Sequence, residues 1–130
     1  MLPKHLEMKK YYLILMFTLL FISFKVNSQT CDELISSVKS KAYGTTYTSY
    51  NSSAISKVTF YDIYEGSRFY YFAIVCFKKS YSGCAEYIYQ VTSTTKTYYS
   101  MNYLESAGKA FWAYIQPYNK VLSCGANVDN

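Results

Sequence analysis

From Tyr11 to Phe24 the chain is apolar except at Thr18 and Ser23, and Lys9 and Lys10 stand directly before this run. Fourteen residues are too few for a membrane-crossing helix, which needs roughly 20, but suit the core of a signal peptide, which uses about 7 to 15. Val26 and Ser28 put an aliphatic and a small residue three and one positions before a cut between Ser28 and Gln29. Residues 1–28 are therefore expected to be a cleaved signal peptide. An uncleaved anchor is the alternative, because Lys25 closes the apolar run. Lipid attachment at Cys31 is disfavoured, since Ser28, Gln29 and Thr30 do not place the required small residue next to the cysteine. Met8 offers a second possible start just ahead of the lysines.

Beyond residue 28 the period becomes helical. Leu34, Ile35, Val38 and Ala42 form one stripe, Thr30 and Glu33 have capping-box spacing, and Gly44 is the expected C-cap. Residues 29–52 are thus expected to hold an N-terminal helix and a loop, with Thr45 to Ser53 in the loop. Asn51-Ser52-Ser53 fits the glycosylation acceptor pattern, a three-residue match common by chance.

From Ala54 the pattern alternates instead. Val58 and Phe60 interleave with Lys57 and Thr59 in a strand from Ile55 to Tyr64, and Glu65-Gly66-Ser67 makes a turn. Phe69 to Phe77 is apolar on both faces, as a central strand requires. Lys78 to Gly83 is polar, and Cys84 to Val91 returns with Ala85, Tyr87, Tyr89 and Val91 on one face and Glu86 and Gln90 on the other. A three-stranded antiparallel meander is expected. Thr94 to Leu104 then reads as a helix facing inward through Thr97, Tyr98, Met101 and Leu104. Ser106 caps a second helix carrying Ala107, Phe111, Tyr114, Ile115 and Tyr118, which Pro117 ends near Gln116. Gly108 is the expected point of close approach to the sheet. The fold class is α+β: an N-terminal helix, the meander, and two C-terminal helices on one sheet face. Residues 119–130 form a tail anchored by Cys124.

Removing residues 1–28 changes the charge picture. Four of the 13 basic residues and one of the 8 acidic residues leave, so nine face seven and the net charge falls to about +2. That is a weak electrostatic footprint for a nucleic-acid binder. His5 leaves as well, and no other histidine exists. Histidine bases, histidine metal sites and Ser-His or Cys-His pairs are excluded from the remaining domain. Four cysteines in an exported chain of this size imply two disulfides with three possible pairings. Cys31 with Cys124 would tie the ends of the domain, and Cys76 with Cys84 would close a hairpin. Free buried thiols are the alternative for the second pair, and the absence of C-x-x-C spacing disfavours zinc or redox chemistry.

Three stretches together resemble the KTSC domain, a short module named for its occurrence at the C-terminus of some lysyl-tRNA synthetases and also found as a stand-alone bacterial protein. They are Ser53-Ala54-Ile55, Tyr87-Ile88-Tyr89 followed by Val91, and Ser106-Ala107-Gly108-Lys109-Ala110-Phe111 with Ile115. The resemblance covers residues 53–118. It departs from the family pattern in a longer first hairpin, in Thr92 where proline is frequent, and in the added helix and cysteines. Nucleic-acid binding is suggested for the family, so the resemblance implies an RNA-binding alternative that export and low charge oppose.

The functional expectation is an exported binding or interaction domain, periplasmic or secreted, with no membrane span after cleavage, no cofactor and no metal. A protein or glycan partner outside the cytoplasm is the expected class. Tyr87 and Tyr89 share a strand face and could stack on a ligand, and Lys109 could meet an anion at a helix N-terminus. The competing view puts both rings in the core and Lys109 in solvent. An enzyme is the remaining class, with Glu86 as the best candidate acid, but no paired carboxylate for glycoside chemistry is identifiable.

Overall fold

The computed structural model describes residues 29–128. The expected signal peptide, its cleavage site and the last two residues of the tail lie outside that range. The elements are α1 (Cys31–Lys41), β1 (Thr45–Thr48), β2 (Ile55–Glu65), β3 (Arg68–Lys78), β4 (Cys84–Val91), α2 (Thr95–Asn102) and α3 (Ala107–Tyr114). A 3-10 turn (Gln116–Tyr118) and a single-turn helix, α4 (Asn119–Leu122), follow.

The sheet is antiparallel with order β1-β2-β3-β4. It has one strand more than the meander read from the sequence. Thr45 to Thr48 pair with Phe60 to Lys57, and the Thr46 and Thr59 hydroxyls meet at 2.9 Å. Gly66 and Ser67 turn the β2–β3 hairpin with φ of 60° and 66°, the left-handed pair that a two-residue hairpin demands. Their position fixes the register from Glu65↔Arg68 onward.

β3 is apolar on both faces because both faces are covered. Val58, Phe60, Ala73, Val75, Tyr89 and Val91 meet Tyr99 of α2 and Ala107, Ala110, Phe111 and Ile115 of α3 and its C-cap. On the reverse face Tyr61, Ile63, Phe72, Ile74 and Ile88 meet Ile35 and Val38 of α1. The result is three layers, with α1 on one side of the sheet and α2 and α3 on the other. Burying Ile35 and Val38 supplies about 1.5–3 kcal/mol each.

Four sequence expectations change. Gly44 does not cap α1: the chain there runs so close to β2 that a Cβ would strike Thr59 and Tyr61. In α2 the inward residues are Thr95 and Tyr99, whereas Met101 and Leu104 are 74% and 81% exposed. Gly108 has open space around its Cβ direction, so the close approach is not there. It is at Gly125, whose Cβ would strike Asn119 and the Tyr89 ring. Finally, the tail is structured. Tyr118 packs into the first core cluster, Leu122 and Cys124 into the second, and Val128 into the first again. This segment packs on β4 as it passes from one face to the other, covering a strand edge that would otherwise present unpaired backbone groups.

Two disulfides join Cys31 to Cys124, with Cα atoms 5.6 Å apart, and Cys76 to Cys84, with Cα atoms 5.2 Å apart. The first holds the tail to the start of α1. The second links β3 to β4 beside the Lys78↔Cys84 register pair. Two such bonds fit an oxidising environment. Among the described residues, no helix is long and apolar enough to cross a membrane.

Candidate functional site

Tyr89 stands in the middle of β4 with its ring against Phe111, centroids 5.6 Å apart, and none of the residue is exposed. Its hydroxyl accepts a hydrogen bond from Ala126 N at 3.0 Å. Burial pushes its pKa above the ordinary tyrosine value, with the Ala126 hydrogen bond opposing and Tyr87 adding a smaller upward effect. Tyr87, two residues earlier on the same face, is half-buried edge-on to Phe77 at 5.7 Å. Tyr87 and Tyr89 therefore form core under α3, and no stacking platform opens at Tyr89. Glu86 points to the opposite face, where both its carboxylate oxygens bind Lys39 Nζ of α1 at 2.6 and 2.7 Å. That pairing makes it a clasp between α1 and the sheet.

Lys109 is exposed in the first turn of α3, and its backbone N–H donates to the Ser106 Oγ at 3.2 Å in the expected cap. Its side chain lines a shallow hollow of about 180 Å³ with Asn102, Glu105 and Tyr114. Among the described residues, no group of histidine, cysteine or carboxylate side chains could hold a metal ion.

The larger concavity lies elsewhere, between the β1–β2 loop and the α2–α3 turn. It has a volume of about 310 Å³, near the lower end of the range for small-molecule sites. Residues 48–54 form one wall and residues 103–108 the other. The first wall is held by Ser49 N donating to Ser56 O at 2.9 Å and Ile55 N donating to Ser52 Oγ at 3.0 Å. Lys78 Nζ adds a hydrogen bond to Ser52 O. The second wall is held by Tyr103 N and Ser106 N, which donate to Tyr99 O and Asn102 O, and by the Ser106 cap.

Behind the cleft is an aromatic cluster. Tyr99 and Tyr103 stack at 5.5 Å with 14° between planes, Tyr47 lies edge-on to both, and Phe60 closes the group. Ser49 lines the cleft and is nine-tenths buried, yet neither its Oγ nor the Tyr99 hydroxyl has a hydrogen-bond partner. Burial pushes Tyr99 up to about 12, against a smaller downward effect of the Ser49 side chain and an upward one from Tyr103. The Ser49 hydroxyl is thus a close polar neighbour of the Tyr99 hydroxyl, and both oxygens lie out of reach of solvent behind the cleft.

Sequence reasoning missed this cleft, although it had singled out residues on both rims. Ser53 and Ala54 open one resemblance stretch, and Ser106, Ala107 and Gly108 open another. They are more than 50 residues apart along the chain and meet across the cleft. No family model matches the sequence, and no curated protein or solved structure matches it either.

Proposed function

We propose that this chain is an exported, disulfide-closed binding domain, KTSC-like over residues 53–118, that takes a small polar ligand in the cleft between residues 48–54 and 103–108. The observation that carries this reading is the preformed concavity of about 310 Å³, whose two walls are held in place by their own hydrogen bonds and lined mainly by hydroxyl, amide and backbone groups. Concave sites with a few convergent polar groups are where small ligands bind.

Two further features support it. The cysteine pairing and the apolar run before residue 28 both fit export. Two of the three stretches read as KTSC-like contribute residues to the walls of this cleft. The RNA-binding alternative is disfavoured by the low net charge of about +2 after residue 28, and the one lysine bonded to a wall residue, Lys78, is engaged by Ser52 O. An enzymatic role is disfavoured because Glu105 is the one carboxylate of the lining and has no acid or base beside it.

The test is a fragment screen on the ¹⁵N-labelled domain from residue 29 onward, read by amide chemical shifts. Polar fragments are expected to move the resonances of residues 48–54 and 103–108 together. Hits that cluster on another surface and leave both walls unmoved would overturn this assignment.

A further inference from the structure

We infer that the β3–β4 loop, residues 79–83, binds a trypsin-class serine endopeptidase as a substrate-like inhibitor, with Lys79 entering the enzyme's acidic specificity pocket. None of these residues lines the cleft, so the inference does not rest on the reading of that site.

The placement of basic residues selects the loop. Such an enzyme reads a lysine or arginine in a segment that can lie extended along its binding edge. Among the described residues, Lys79 is the one basic residue outside every helix and strand. It is exposed and makes no ion pair among the described residues. Its neighbour Lys78 is already engaged in β3: its backbone N–H donates to Ala54 O at 2.8 Å and its Nζ to Ser52 O. Lys79–Ser80 is therefore the peptide bond on offer.

The main chain around that bond is open. Every residue from Lys78 to Gly83 is exposed, Tyr81 in full. One backbone bond, from Lys79 N to Gly83 O at 3.2 Å, closes the loop. The Lys79 carbonyl and the N–H and C=O groups of Ser80, Tyr81 and Ser82 have no main-chain partner among the described residues. They are free to pair with a strand of the enzyme, and Tyr81 adds a rigid aromatic contact beyond the cut.

A clamp beneath the loop makes it an inhibitor in place of a substrate. Cys76 and Cys84, 8 residues apart, are bonded with their Cα atoms 5.2 Å from each other, and Lys78 pairs with Cys84 across the ladder. The Phe77 ring fixes the base, edge-on to Tyr87 at 5.7 Å and to Phe111 at 5.3 Å. In the enzyme, the serine hydroxyl adds to the Lys79 carbonyl carbon. Its proton passes through the histidine to the Ser80 nitrogen, and the peptide bond breaks to an acyl ester and an amine. The clamp keeps that amine beside the ester, where its effective concentration favours its attack over that of water. The peptide bond re-forms, the proton returns to the serine oxygen, and the enzyme stays occupied.

The experiment mixes the oxidised protein from residue 29 onward with trypsin, or with chymotrypsin as control, and follows hydrolysis of a chromogenic peptide amide suited to each. Competitive inhibition of trypsin is expected, with a fraction of the bound protein cut at Lys79–Ser80. The cut form should carry one added water and come apart only after reduction. Lys79→Ala should weaken inhibition by at least about a hundredfold and Lys79→Arg should keep it, while Lys78→Ala changes it by no more than about twofold. Joint Cys76→Ala and Cys84→Ala substitution should give a substrate that is cut to completion, with a melting curve to show that it is folded. Inhibition that survives Lys79→Ala, or that depends on Lys78 instead, would overturn the assignment. So would rapid cleavage at Lys79–Ser80 without inhibition, inhibition of chymotrypsin alone through Tyr81, or neither inhibition nor cleavage. Each of these outcomes leaves the reading of the cleft standing.

Discussion

Ala126 donates its backbone N–H to the Tyr89 hydroxyl at 3.0 Å, so a tail residue completes the hydrogen bonding of the most buried ring of the edge strand β4. Tyr89→Phe leaves that N–H without its acceptor and should cost about 1–3 kcal/mol. Urea denaturation checks it, with a lower midpoint and an unchanged slope expected.

Tyr99 should respond in the opposite sense. Its hydroxyl is buried without a partner, so Tyr99→Phe removes an unsatisfied group at no loss of packing and should be neutral or stabilising. The pH dependence follows from burial raising Tyr99 from 10.0 to about 12, with Tyr89 raised in the same direction. The folded state keeps a proton that the unfolded chain gives up. Stability is therefore full below pH 10 and falls as pH rises toward 12, by about 2–3 kcal/mol for Tyr99 at this shift. Melting curves of wild type and Tyr99→Phe between pH 8 and about 11.5 isolate this part from lysine titration, and Tyr99→Phe should show the shallower decline.

The core beneath α3 is more sensitive than the exposed side of α2. Phe111 touches the Phe77, Tyr89 and Trp112 rings, and Phe111→Ala should cost about 3–5 kcal/mol. Met101→Ser and Leu104→Ser should each stay within about 0.5 kcal/mol, since both residues stand in solvent. Thermal unfolding of the three variants separates these outcomes.

The glycines divide in the same way. Gly108→Ala enters open space inside a helix and should stabilise by up to about 1 kcal/mol. Gly125→Ala drives a methyl into Asn119 and the Tyr89 ring and should destabilise, loosening the tail from β4. Amide exchange at Ala126 is the sensitive readout: it should accelerate in Gly125→Ala and stay slow in Gly108→Ala.

Much of the architecture was legible because side-chain periodicity encodes burial. β2 and β4 announce themselves by alternation and β3 by a run apolar on both faces, and Gly66-Ser67 fixes the β2–β3 hairpin. β1 was not legible: Thr45-Thr46-Tyr47-Thr48 carries four hydroxyl residues and becomes a strand only because β2 offers it an edge. The inward side of α2 was hidden by an abundance of tyrosine. With Tyr98, Tyr99 and Tyr103 in one short helix and its end, composition cannot say which ring is buried, and packing against Tyr47 and Phe60 selects Tyr99. The cleft could not be read at all, because a wall formed at residues 48–54 and another at 103–108 become neighbours only when the sheet and α3 are assembled.

The two disulfides also differ in what they close. Cys76 and Cys84 lie 8 residues apart across one hairpin, whereas Cys31 reaches Cys124, 93 residues further on. The entropy that a cross-link removes from the unfolded chain grows with the length enclosed, so the longer loop constrains it more. The hairpin bond repeats a restraint that the β3–β4 register already imposes where Lys78 pairs with Cys84, while the bond from α1 to the tail restrains the unfolded chain over nearly the whole of the described domain.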